Sequence, residues 1–226
     1  AGKAFVEDVS FAGMVKGMEP RLPGQVPVAP PPPKRPPLPR RTAPLLVQRL
    51  SEGYPAAAEL VQENPDRSKA DGEPARAWLA HHDGVLRVKI EIPLSKAPQL
   101  DGQNQWTKTD GVELCFADAD NNAQHPTFIL HGFPDGAYES STEAGAPAST
   151  AAKLATAASF RATVNANGWT AEWTVPLTVV AIPTAAGTDI RFNIGVFRRE
   201  KRQWLQWAGT GAQTWRVDQA AMIRLE

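Results

Sequence analysis

From Leu86 to Ile92 apolar and charged residues take strict turns, with Leu86, Val88, Ile90 and Ile92 on one side and Arg87, Lys89 and Glu91 on the other. A repeat of two marks a β-strand with one covered face and excludes a helix over these residues. Val112, Leu114 and Phe116 repeat the pattern against Glu113, Cys115 and Ala117. Further strands are expected over residues 58–62, 75–80, 127–131, 160–164, 169–175, 190–196 and 221–225. Asn165-Ala166-Asn167-Gly168 reads as a tight turn, so residues 160–175 should form an antiparallel hairpin whose second arm ends at Pro176. Many short strands separated by Gly, Asp and Asn turns, with little helix, predict an all-β fold, an antiparallel, jelly-roll-like β-sandwich. The exceptions are a helical turn over residues 45–50 and an Ala/Ser/Thr-rich loop over 140–159 carrying a short helix at 151–157.

The sandwich is expected to occupy residues 45–226. Residues 20–44 are too proline-dense for helix or interior strand: Pro30 to Pro33, Pro36, Pro37 and Pro39 favour extended polyproline II, a spacer conformation. Within them Pro36-Pro37-Leu38-Pro39-Arg40-Arg41 fits the Pro-x-x-Pro-x-Arg pattern of SH3 ligands, a short match that linkers share. Residues 1–19 contain one strand pattern, 3–11, with no partner nearby. It reads either as the remnant of a preceding β-domain or as a strand completing the main sheet.

The 226-residue chain has 24 Lys plus Arg and 24 Asp plus Glu, so its net charge is zero and no long-range field favours nucleic acid or an acidic membrane surface. It has no apolar run long enough for a membrane span of ~20 residues. Its single cysteine, Cys115, cannot form an intrachain disulfide and sits in an apolar strand pattern, where a buried, inert thiol is expected.

Four phrases, in order, carry a family resemblance. They are Trp-x3-Asp-x-Val-Glu-Leu at residues 106–114, Gly168-Trp169-Thr170-Ala171-Glu172-Trp173-Thr174-Val175-Pro176, Arg191-Phe192-Asn193-Ile194, and Trp207 followed by the strand after Trp215. Together they make residues 45–226 similar to the family 9 carbohydrate-binding modules. That resemblance implies a β-sandwich that binds polysaccharide or oligosaccharide without cleaving it, joined to the catalytic domain of an extracellular or periplasmic glycan-processing protein. It also implies a sugar ring between two aromatic plates, Trp106 and Trp207, with Trp204 as the alternative second plate. Glu113 would accept from hydroxyls, and Gln203, Asn193 or Gln206 would supply amides. His131 stands where the family pattern would lead one to look for an arginine. Accessory members of the superfamily bind no ligand, so a purely structural sandwich packed on a catalytic domain is the alternative.

The residues themselves suit sugar chemistry, because an indole stacks on the C–H face of a pyranose while placed polar groups read its hydroxyls. Trp106 lies among Gly, Gln, Asn, Thr and Lys, a loop setting. Strand parity puts Leu205 with Trp207 on one face and Trp204 with Gln206 on the other, and Trp169 with Trp173 on a core face. Asp118, Asp120 and Asn121 offer oxygen ligands of the kind calcium prefers, in a run that also reads as a plain Asx turn. His81 and His82 flank the Asp83-Gly84 turn and are expected to be exposed, and no third ligand at zinc spacing accompanies any histidine. No nucleophile elbow, phosphate loop or nucleophile–base pair appears, so no catalysis of its own is expected. The charge run Arg198 to Arg202 reads as a solvated hairpin tip.

Overall fold

The computed structural model describes residues 35–50, 63–100, 102–119 and 126–226. The strands expected over 3–11 and 58–62, and the calcium candidates Asp120 and Asn121, lie outside them. Eleven strands and one α-helix are described: β1 Leu45–Val47, β2 Arg76–His82, β3 Val85–Pro93, β4 Gly111–Asp118, β5 Phe128–Gly132, β6 Tyr138–Ser141, α1 Ala148–Ala157, β7 Ser159–Asn165, β8 Gly168–Pro176, β9 Asp189–Arg198, β10 Gln203–Gln206 and β11 Ala221–Leu225.

They form two sheets that pack face to face as a β-sandwich. One runs β2-β3-β8-β7, antiparallel throughout; the other runs β1-β11-β9-β4-β5-β6, with β10 also paired to β9. One side of β9 is shared, since β11 pairs with residues 189–192 and β10 with residues 195–198. Between the sheets lie Leu86, Val88, Ile90 and Ile92 of β3 and Trp169, Ala171, Trp173 and Val175 of β8. Val112, Leu114 and Phe116 of β4 and Phe192, Ile194 and Val196 of β9 face them. Each such buried aliphatic or aromatic side chain contributes about 1.5–3 kcal/mol, which is why the period-2 pattern governs the architecture.

Three local expectations differ from the structure. Residues 45–47 are not helical but pair in parallel with β11 at the sheet edge, Leu45 opposite Ile223, because the free edge of β11 supplies backbone partners. The 140–159 stretch is less of a loop than expected: β6 reaches Ser141, and the helix expected over 151–157 is present but starts earlier, at Ala148. The buried Leu154 of α1 packs into the core, and the Tyr138 hydroxyl lies 3.0 and 2.8 Å from the Ala155 and Ala158 carbonyls at its C-terminal end. His81 is buried, its Nε2 2.6 Å from the Glu226 carbonyl, whereas His82 is exposed as expected.

The described end of the proline-rich segment runs against the sandwich. Leu38 N donates to the Arg67 carbonyl (2.7 Å), and Arg41 donates to the buried Glu63 (2.7 Å) and to the Trp207 carbonyl (3.0 Å). The cation of the SH3-like pattern is therefore already engaged within the chain.

Candidate functional site

The outer face of the larger sheet carries one lateral row of residues, set by register. Gln206 on β10 pairs with Gly195 on β9, Gly195 with Glu113 on β4, Glu113 with His131 on β5, and His131 with Glu139 on β6. These residues alternate with core residues along their strands, so the same periodicity that builds the core aims this row away from it. Glu113, His131 and Gln206 are nevertheless buried, because the loop after β10 and the segment after β6 fold over them. Gly195 is required by crowding: a Cβ there would lie 2.6 Å from Thr214 Oγ1 and 3.1 Å from Glu113 Oε2.

Above the row opens a pocket of about 300 Å³, lined by Trp106, Glu113, Glu143, Trp204, Gln206, Thr214 and Trp215 among others. Its three tryptophans are each only partly buried and arrive from separate parts of the chain. Trp106 comes from the turn before β4, in which Lys108 N and Thr109 N both donate to the Gln105 carbonyl. Gly111 lets its indole lie close over β4, since a Cβ there would meet Trp106 Cζ3 at 2.9 Å. The Trp106 ring stacks on the His131 imidazole, with centroids 4.3 Å apart and planes 18° from parallel, and meets the edge of Trp204 at 5.1 Å. Trp204 is braced in turn by its cross-strand partner Phe197, at 4.9 Å. Trp215 packs on a small apolar cluster of Cys115, Ala117, Ile129 and Val217.

Beneath Trp106 the polar groups converge. His131 Nε2 is 3.2 Å from Glu113 Oε1 and 3.8 Å from Glu143 Oε1, and Nδ1 is 3.1 Å from Glu139 Oε1. Burial, the largest single influence on the imidazole, favours its neutral form, but Glu113 and then Glu139 outweigh it and the pKa lies above the ordinary histidine value. Burial raises the Glu143 pKa too, and the charge on Glu113 adds to the effect while His131 opposes it. The Cys115 thiol is pushed well above its usual range by burial and then by Glu113 and Glu143, which leaves it inert as a nucleophile.

The residues singled out in the sequence therefore divide. Trp106, Glu113, Trp204 and Gln206 line the pocket, and His131 lies under Trp106. Trp207 does not: it turns inward after β10, its N donates to the Ile194 carbonyl (2.9 Å), and it sits in the core against Phe192 at 6% exposure. Leu205, on the same face, goes with it. Asn193 is wholly buried and fully bonded, donating to the Ala208 and Thr214 carbonyls and accepting from Ile194 N and Ala208 N. Gln206 is likewise engaged, donating to the Ala212 carbonyl and accepting from Thr210 N. Both amides hold the pocket-forming loop in place rather than presenting themselves to a ligand. Gln203 lies on the far side of Trp204, donating to the Asp71 carbonyl, in a neighbouring shallow depression. Asp118 ends β4. Glu143 and Trp215, which complete the pocket, come from connecting segments; Trp215 stands in the last phrase of the family resemblance but is not singled out there as a site residue, and Glu143 carries no sequence signal of its own.

No protein-family model matches the chain, and no curated protein sequence matches it. Among solved structures it is similar to a family 9 carbohydrate-binding module from Caldicellulosiruptor kristjanssonii in complex with glucose, at 15% identity and a TM-score of 0.57, over 81% of this chain and 96% of that one. It is similar also to a family 9 module from that organism in complex with cellotriose, at 12% identity and a TM-score of 0.57, over 81% and 94% of the two chains. The likeness is one of fold, and it is the fold that the order of motifs in the sequence had implied.

Proposed function

We propose that this chain is a noncatalytic carbohydrate-binding module whose sugar ring lies in the pocket between Trp106, Trp204 and Trp215, with Glu113 and Glu143 accepting from its hydroxyls. One observation carries the reading. Three half-exposed tryptophans from three segments, out of seven in the chain, converge on a single pocket floored by carboxylates. A wall of indole with a few placed acceptors is what a pyranose requires. The fold shared with modules solved with glucose and cellotriose supports the same class of ligand. Trp207, the plate suggested by motif order, is replaced in this reading by Trp204 and Trp215. The partner would be the catalytic domain of an extracytoplasmic glycan-processing protein.

The test is a titration of intrinsic tryptophan fluorescence, backed by calorimetry, with glucose, cello-oligosaccharides and a panel of other sugars. Saturable binding with micromolar to millimolar Kd, about −8 to −4 kcal/mol, is expected. Trp106→Ala and Trp204→Ala should each weaken it by at least ~10-fold, on the scale of one lost buried contact of ~1.4 kcal/mol. A flat response across the panel from folded protein would leave the structural accessory domain as the better account.

A further inference from the structure

We propose that Glu113, His131 and Glu143 form a binding site for a first-row transition-metal ion, zinc in the first instance, at the floor of the pocket. One ligand atom from each residue lies within 4.8 Å of the others. They come from β4, β5 and the segment after β6, so neither spacing nor motif brings them together in the sequence.

The geometry favours an ion over a simple imidazolium pair. An imidazolium has two N–H groups and can satisfy two carboxylates, yet three are turned toward this ring. Glu139 takes Nδ1 at 3.1 Å, while Glu113 and Glu143 both approach Nε2, at 3.2 and 3.8 Å. Glu143 is beyond hydrogen-bond reach, and the bonds to Glu113 and Glu139 are longer than the ~2.7–2.9 Å of charge-assisted N–H···O contacts. With metal–ligand bonds of ~2.0–2.1 Å, the edge of a tetrahedron is about 3.3 Å, which the spacing of Nε2 from the two carboxylates brackets. The Glu143 side chain is 45% exposed and can swing the remaining distance inward.

Charge and surroundings agree with the geometry. Among the described residues, no lysine or arginine ion pair to Glu113, Glu139 or Glu143 is present, and the charges acting on Glu143 are Glu113, His131 and Glu139. A divalent cation would balance them. Glu139 on Nδ1 would orient the ring so that Nε2 faces the ion, the arrangement by which carboxylates support metal-bound histidines. Mixed imidazole and carboxylate ligands select zinc and its neighbours over calcium and magnesium, which take oxygen ligands. Three protein ligands leave a fourth position, and Glu113 and Glu143 both line the pocket, so that position opens toward it.

The full chain, stripped with a chelator, would be titrated with ZnCl2 by calorimetry and with CoCl2 by visible absorption. Because only the metal is added, the outcome is independent of whether a sugar binds. One equivalent of zinc should bind saturably, cobalt should develop the absorption of a four-coordinate site, and millimolar calcium or magnesium should not compete. Glu143→Gln, a change at a half-exposed side chain that leaves the fold intact, should weaken zinc by more than ~10-fold, and Glu139→Gln by ~10-fold. No saturable zinc binding by the wild-type chain would overturn the site. So would zinc binding that Glu143→Gln leaves unchanged, which would place the ion elsewhere, for example at His82.

Discussion

Glu113 and His131 stand directly opposite each other in the β4–β5 register, both almost wholly buried, with 3.2 Å between Oε1 and Nε2 on the sheet face turned away from the core. The pair ties the site to strand register. A slip of one residue between these strands would send Glu113 into the space filled by Val112, Leu114 and Phe116 and would dismantle the whole lateral row.

The two side chains should be coupled energetically. Removing either alone leaves the other with an unmet buried polar atom, at a cost of about 1–3 kcal/mol. In a double-mutant cycle with Glu113→Ala and His131→Ala, followed by urea unfolding, the double variant should lose less than the sum of the singles by about 0.5–3 kcal/mol. Strict additivity would show that the contact carries no energy.

Gly195→Ala probes the pocket without touching a tryptophan. The new methyl would stand 2.6 Å from Thr214 Oγ1 and 3.1 Å from Glu113 Oε2, pushing two lining groups into the space a ligand would fill. A stability loss of about 1–3 kcal/mol is expected from overpacking. A fall of at least ~10-fold in sugar affinity, ~1.4 kcal/mol, should accompany it. Wild-type sugar affinity in this variant would remove the pocket from consideration as the binding site.

The core was legible because it obeys a period. Leu86 to Ile92 and Trp169 to Val175 alternate strictly, and both strands lie where the alternation puts them. The parity of Trp204 with Gln206 against Leu205 with Trp207 was legible as well. Which face looked inward was not, because the decision comes from β9: Leu205 and Trp207 continue the face of Ile194 and Val196 into the core. The amides of Asn193 and Gln206 look ligand-like in the sequence but bond to the loop over residues 208–214, a contact between segments that no local pattern records. Glu143 and Trp215 reach the pocket through connections whose course follows from tertiary packing. Residues 45–47 show the same limit at the level of fold, since a sheet edge overrides the local preference of a leucine-rich turn.

Gly168 closes the β7–β8 hairpin with φ of 142°, and a Cβ there would fall 2.1 Å from the Ile92 carbonyl oxygen, a backbone atom that β3 holds in place. Gly168→Ala therefore combines an unfavourable backbone conformation with a clash that no side-chain rotation relieves. It should cost about 3 kcal/mol or more, read as a drop in the urea midpoint at unchanged slope. A midpoint within error of wild type would mean that the hairpin accommodates a quite different turn.

Asp189 and Arg224 face each other across β9 and β11 with two contacts of 2.7 Å, joining Oδ1 to Nε and Oδ2 to Nη2. The hydrogen bonds and charge of Arg224 hold the Asp189 pKa below its ordinary value of 3.8. A carboxyl group whose pKa is lower folded than unfolded binds more protons in the unfolded chain, so its contribution is present above the unfolded pKa of ~3.9 and disappears as pH falls through the folded value. Asp189→Asn should therefore be less stable than wild type at pH 7 and pH 5, and the two should converge as pH falls through the lowered folded pKa. The pair is solvent-accessible, so the difference at neutral pH should also shrink when salt is raised. Urea midpoints for both chains across this pH series, at low and high salt, test the link. A gap that stays constant down to the lowest pH would assign the loss to packing or backbone effects of the substitution instead of to the ion pair.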